Sequence, residues 1–120
     1  MEKSRTIGAQ AEAAAERYLR GQGYQILGRN YCIRGGEIDL IARVDDYLVF
    51  VEVKMRKNTA YGQACEAVTL PKQRRLSRTA QHYLLRHPEL ASLYCRFDVI
   101  EVYGFTQGEI LHITNAFDAC

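Results

Sequence analysis

An α/β or α+β fold, a β-sheet with helices packed on it, is what the sequence predicts, and three observations carry it. Two segments place apolar residues at helical spacing. Five short runs are rich in Val, Ile, Leu and aromatic residues, as strands are. The two kinds of segment follow one another as α-β-β-β-α-β-β, with one long loop before the second helix.

The first helix is read from about Ile7 to Arg20. Ile7, Ala11, Ala14, Ala15, Tyr18 and Leu19 make its apolar face, and Gly21 and Gly23 stop it. Tyr24 to Leu27 is a short β-like run, and Asn30 to Gly36 carries turn residues. Glu37 to Arg43 and Tyr47 to Met55 are the best strands. Only Val44-Asp45-Asp46 separates them, so they should form an antiparallel hairpin. Arg56 to Leu70 has no period and reads as a loop. Pro71 suits the first turn of a second helix that runs to about Arg86, with Thr69 or Leu70 near its cap. Leu76, Ala80, Tyr83 and Leu84 give its buried face, and His87-Pro88 ends it. Tyr94 to Tyr103 and Glu109 to Ile113 are strands about a turn at Gly104 to Gly108.

The 120 residues suit one domain over 1–120, long enough to bury a core without disulfide or metal staples. A composition 48% hydrophobic and 25% charged is that of a soluble globular protein. No apolar run approaches the roughly 18 residues of a membrane span, and no membrane partner is expected. The charged N-terminus lacks a signal-peptide apolar stretch, so a cytoplasmic location is expected. Cys32, Cys65, Cys95 and Cys120 fit no zinc spacing and read as reduced thiols. Charge is uneven: Lys54 to Arg86 holds eight Lys or Arg and one acid, Glu66, inside a chain of net charge +2. Such a segment is either a footprint for a polyanion or a solvated helix face.

The hairpin carries the candidate chemistry. A two-residue turn at Asp45-Asp46 pairs Val44 with Tyr47, Ile41 with Phe50, Asp39 with Glu52 and Glu37 with Lys54. A four-residue turn over Val44 to Tyr47 keeps that register, and a three-residue turn would shift it by one and separate the carboxylates. Opposed strand residues have Cβ atoms roughly 4.5–5.5 Å apart, so Asp39 and Glu52 would repel unless one is protonated or a cation lies between them. Two carboxylates are ligands that Mg²⁺ or Mn²⁺ accepts, with water completing the shell. Lys54, two residues beyond Glu52, could orient or deprotonate a water or neutralise a phosphate. Taken singly, each is an ordinary strand residue or half of a surface ion pair. Together they are harder to dismiss, because Leu48-Val49-Phe50-Val51 and Val53 surround Glu52, and unpaired charge is expensive within an apolar strand.

Gly36-Glu37-Ile38-Asp39-Leu40-Ile41-Ala42, followed by Val49-Phe50-Val51-Glu52-Val53-Lys54-Met55-Arg56, resembles the bacterial YraN family. That family is related to archaeal Holliday junction resolvases of the PD-(D/E)xK nuclease superfamily. The likeness continues at Gly8 and Glu12, Gly23-Tyr24, Asn30, Tyr61-Gly62, Lys72, Arg75-Leu76, Arg96-Phe97-Asp98-Val99 and Asn115-Ala116-Phe117, nearly the whole chain. It departs at Ile38, where the nominal motif has proline, and at Ala11, which replaces a glycine. The resemblance implies a restriction-endonuclease-like fold with a mixed central sheet flanked by helices. It implies metal-binding acids at Asp39 and Glu52, the motif lysine at Lys54, and an acid from the first helix at Glu12.

The expectation is therefore a Mg²⁺-dependent endonuclease acting on DNA, with branched DNA as the leading substrate by analogy. Asp39, Glu52, Lys54 and Glu12 are the catalytic candidates, the three acids being the metal candidates. Glu37 is first a partner of Lys54 and secondarily a ligand. Arg56, Lys57, Lys72, Arg75 and Arg78 are candidates for phosphate contacts, which would be sequence-independent and salt-sensitive. Tyr61 is a weaker candidate for stacking on a base. A junction has twofold character, so a homodimer would suit it. The alternatives are a non-cleaving nucleic-acid-binding module that keeps the fold and a partner-binding protein.

Overall fold

The most apolar strand of the chain runs through the middle of the sheet, and everything else is arranged about it. The structure is a computed structural model that describes residues 2–56, 68–104 and 109–117, with side chains from residue 8 onward. Its elements are α1 (Glu2–Gly21), β1 (Gln25–Ile33), β2 (Gly36–Val44), β3 (Tyr47–Arg56), α2 (Leu70–Arg86), β4 (Tyr94–Tyr103) and β5 (Glu109–Phe117). The five strands form one mixed sheet in chain order. β3 and β4 run parallel, and the other neighbours are antiparallel. A parallel pair needs a long crossover, and α2 lies within it.

The two helices cover opposite faces. Ala11, Ala15 and Leu19 of α1 pack on Leu40, Val49, Val51, Ile100 and Val102. Leu76, Ala80 and Tyr83 of α2 pack on Ile38, Ile41, Leu48, Phe50, Phe97 and Val99. With both faces covered, β3 has buried residues from Leu48 through Glu52, which is why it reads as a continuous apolar run rather than an alternation. α1 closes as its glycines predict. Gly23 takes φ 92, and the Tyr24 and Gly23 amides donate to the Leu19 and Arg20 carbonyls at 3.0 and 3.1 Å, a Schellman ending. Thr69 is the N-cap of α2, and Pro71 sits in its first turn.

Three expectations need correction. Asn30 to Ile33 is not a turn: β1 continues to Ile33, and the turn shrinks to Arg34 and Gly35, with Gly35 at φ 88. Pairing with β2 satisfies this backbone, and a bulge between Ile26 and Gly28 plus a left-handed Asn30 (φ 50) accommodate its residues. β5 runs on to Phe117, whose ring stacks on Phe97 at 4.7 Å. The predicted hairpin register holds from Val44 opposite Tyr47 to Leu40 opposite Val51, and there the ladder stops. Asp39 and Glu52 are therefore not a ladder pair. Ile38 and Ile41 both face α2 while Leu40 faces α1, so strict alternation slips by one at Asp39.

One close approach sets the height of α2 above the sheet. A Cβ built on Gly36 would fall 2.1 Å from Thr79 Oγ1 and 3.2 Å from the Arg75 carbonyl. Thr79 is fully buried and donates to that carbonyl at 2.7 Å. Gly36→Ala should thus cost about 1–3 kcal/mol, the usual range for overpacking. Thr79→Ala in the same chain should recover part of the loss. Urea unfolding of the two single variants and the double would show it, and strictly additive costs would mean that the contact is not the cause.

Candidate functional site

Beyond Leu40, β2 no longer pairs with β3, and a cavity of about 190 Å³ opens between their ends and the first turns of α2. Glu37, Asp39 and Glu52 give it carboxylates, and Lys72 and Arg75 give it cations. Gly36 and Leu76 complete the lining.

Each acid is placed by its backbone. Asp39 Oδ2 accepts the Val53 amide at 2.8 Å, so the side chain takes a β3 donor that the ladder has released. Burial raises the pKa of Asp39 from 3.8 to about 7, helped by the charge of Glu52 and, less strongly, of Glu12 and Glu37, while the Val53 amide opposes the rise. Glu52 lies two residues beyond Phe50 on β3 and is only 9% exposed. Its Oε2 meets Lys72 Nζ at 2.5 Å and Lys54 Nζ at 3.5 Å. Lys54 has its pKa lowered by burial and by the adjacent Lys72. Burial works against the Lys72 ammonium too, but the Glu52 carboxylate outweighs it, and the pKa of Lys72 is raised.

Glu12 joins from α1 through Asn30, whose amide nitrogen lies 3.1 Å from Glu12 Oε1 and 3.4 Å from Glu37 Oε2. Glu37 was expected to pair with Lys54. It sits opposite Cys32 of β1 instead, and the carboxylate beside Lys54 is Glu52, because β2 has already parted from β3 at this level.

Asp39 and Glu52 offer only carboxylate oxygens, and burial together with the nearby Glu52 charge disfavours an ionised Asp39 without a cation beside it. Such a pair fits a hard divalent cation such as Mg²⁺. Among the described residues no three His, Cys, Asp or Glu side chains are grouped to hold a metal unaided. Asp39, Glu52 and Glu12 are thus not drawn into one three-acid cluster. Asp39 and Glu52 would be the protein ligands, with water in the remaining positions.

The candidate phosphate contacts have separate fates. Arg75 is exposed and borders the cavity, and Arg78 is exposed one turn further along α2. His82 and Arg86 continue this exposed face, and His82 Nδ1 lies 2.6 Å from the Tyr31 hydroxyl. Lys72 turns inward to Glu52. Arg56 is tied by Nε and Nη2, at 3.2 and 3.1 Å, to Glu101. Lys57, Tyr61, Cys65 and Cys120 lie outside the described residues, and Cys32 and Cys95 are free thiols.

Sequence reasoning missed two features. One is Lys72 as the close partner of Glu52, which no local spacing could reveal across 20 residues. The other is Glu101, fully buried among apolar neighbours and bound to Arg56 and the Tyr103 hydroxyl. The sequence Val99-Ile100-Glu101-Val102 carries the same signal as Glu52 does, an acid within an apolar strand.

Fold and site together define an α/β protein with a carboxylate–lysine cavity at the open end of its central hairpin. Residues 11–102 match the model of a family described as uncharacterised protein family UPF0102, and the chain belongs to that family. A UPF0102 protein of Saccharophagus degradans is 48% identical, covering 98% of this chain and 97% of the relative. One of Lachnoclostridium phytofermentans is 52% identical over 93% and 92% of the two chains. One of Alcanivorax borkumensis is 44% identical over 98% and 95%.

Proposed function

We propose that this protein is a metal-dependent endonuclease of the restriction-endonuclease-like fold, related to the resolvases that its hairpin motif resembles, hydrolysing DNA phosphodiester bonds. One observation supports this most: Asp39 and Glu52 line one cavity at the end of the sheet, with Lys54 Nζ 3.5 Å from Glu52, and burial and the Glu52 charge disfavour an ionised Asp39 without a cation beside it. Asp39 and Glu52 would hold Mg²⁺. When bound there, the ion would supply charge stabilisation at the phosphate and a more acidic water.

The remaining chemistry belongs to side chains. Lys54 reaches Glu52 from the same strand and is easier to deprotonate than an ordinary lysine. It can take a proton from the attacking water or return one to the leaving oxygen. Arg75 at the cavity and Arg78 beyond it supply donors for the phosphodiester backbone. Glu12 acts at one remove, adding negative charge toward Asp39 from its hydrogen bond with Asn30. Branched DNA is the leading substrate, by likeness to the resolvases, and a homodimer would match its symmetry.

The test is cleavage of a labelled panel (single strand, duplex, flap, four-way junction and RNA) with Mg²⁺ or Mn²⁺. Wild type should cut at least one DNA member, and Glu52→Gln/Lys54→Ala should cut it at least about a hundredfold more slowly, the scale of losing a positioned charge-stabilising group. Equal rates for the two proteins, or no cutting of any member with metal present, would discard the assignment and favour a non-cleaving nucleic-acid-binding module.

A further inference from the structure

We propose that Lys72 is a positioning residue that competes with the divalent cation for Glu52 Oε2 and yields that oxygen when a nucleic-acid phosphate reaches the cavity. The inference rests on the nuclease reading above and concerns a residue that the hairpin motif does not include. Lys72 Nζ lies 2.5 Å from Glu52 Oε2, and Lys54 Nζ lies 3.5 Å from the same atom. Two ammonium groups thus converge on one oxygen. Asp39, also lining the cavity, has a backbone amide as its hydrogen-bond partner. A cation shared by Asp39 and Glu52 would have to displace Lys72 from Oε2 or tolerate like charge beside it.

Lys72 is placed to leave. It stands in the first turn of α2, capped by Thr69, and its side chain is 27% exposed on a flexible four-carbon stem. Lys54 is fixed along a central strand and lies farther from the oxygen. Arg75, one turn after Lys72, borders the same cavity from the exposed side. A phosphate there meets Arg75 and Lys72 together. It offers the ammonium acceptor oxygens as good as those of the carboxylate, so the exchange costs little. Oxygen Oε2 is then released where the scissile phosphate has arrived. Linkage makes the effect reciprocal: nucleic acid tightens cation binding, and the cation tightens nucleic-acid binding by the same factor. A purely structural Lys72–Glu52 pair, holding α2 to the sheet, predicts the opposite sign, because its loss would loosen the site and weaken cation binding.

Mg²⁺ binding to the full chain, measured by titration calorimetry without nucleic acid, separates the two. Lys72→Met keeps the stem and removes the charge, and it should bind Mg²⁺ about tenfold more tightly than wild type, within the usual range of coupling between sites. Lys72→Arg, which keeps a cation, should stay near wild type. Lys72→Gln serves as a second neutral variant if the methionine form does not fold. Adding phosphorothioate-linked DNA of the class cut best in the panel should tighten Mg²⁺ binding to wild type and leave Lys72→Met unchanged. Equal or weaker Mg²⁺ affinity in both neutral variants would overturn the competition while leaving the nuclease reading intact. If neither wild type nor any variant binds Mg²⁺, the metal site itself falls, and the competition with it.

Discussion

Asp98→Ala is expected to destabilise the protein by about 3–5 kcal/mol, the cost of breaking a buried ion pair from one side. The carboxylate is 1% exposed and accepts from Arg96 Nε and Nη2 at 2.9 Å and from the Asn115 amide at 3.0 Å, with His112 Nε2 at 2.7 Å. His112 Nδ1 meets the Tyr18 hydroxyl at 3.0 Å, and Arg96 donates to Tyr24 at 2.7 Å. One carboxylate therefore ties β4 to β5 and, through His112 and Arg96, to α1 and the segment leaving it. Burial opposes its ionisation, but hydrogen bonds from His112, Arg96 and the Asn115 amide hold its pKa below the ordinary value. A depressed carboxyl pKa stabilises the fold above the unfolded pKa, and that contribution is lost as pH falls through the folded value. Near neutral pH it is fully present. Deleting the group then leaves a guanidinium, a ring nitrogen and an amide without their acceptor. Thermal unfolding should show a fall of about 10–20 °C for a domain of this size. A change of only a few degrees would mean that water replaces the carboxylate and that the network holds little.

The second large effect is a dependence of stability on pH that Asp39→Asn removes. In the folded protein Asp39 titrates near pH 7, against an ordinary value of 3.8. Between these values the native state binds the proton more tightly than the unfolded chain does. The stabilisation from the neutral carboxyl is complete below pH 3.8 and is lost as pH rises through about 7. A shift of this size has a ceiling of about 4 kcal/mol. Asparagine keeps an oxygen for the Val53 amide but never charges. The variant should match wild type near pH 4 and exceed it at pH 8 by about 2–3 kcal/mol, once solvent and relaxation reduce the ceiling. Denaturant unfolding at the two pH values measures the difference. An advantage for Asp39→Asn that is equal at both would sink the account, because it would be unrelated to charge. A cation held by Asp39 and Glu52 would offset the burial and the Glu52 charge that disfavour the ionised Asp39, so Mg²⁺ should stabilise wild type more at pH 8 than at pH 5.

The element order was legible because both periodicities are strong in this chain. Ala11, Ala15 and Leu19 on α1, and Leu76, Ala80 and Tyr83 on α2, are buried at the spacing that marked them. Gly23 and Thr69 end and begin their helices as their chemistry requires. Between Asp45 and Asp46 the turn is tight, and Asp45 takes the left-handed φ of 51 that an aspartate tolerates. That turn set the register of five residue pairs. Asn30 misled because a left-handed residue inside a bulged strand has the same local signature as a turn.

Asp39, Glu52 and Lys54 could be singled out from the sequence because acids and a lysine within apolar strands need a physical reason to be there, and that reason is local. The strand content, the hairpin and the two apolar helix faces were likewise local, set by side-chain period and turn geometry. Lys72 beside Glu52, Glu12 linked through Asn30, and the Asp98–His112–Tyr18 chain were decided only by tertiary structure. Each joins elements distant in sequence, and the joining depends on how far α1 and α2 stand from the sheet. Gly36 against Thr79 sets that distance for α2, and the parting of β2 from β3 at Asp39 opens the space beneath it. A pattern of residue types carries the period of an element, but the separation of two packed layers exists only after they meet.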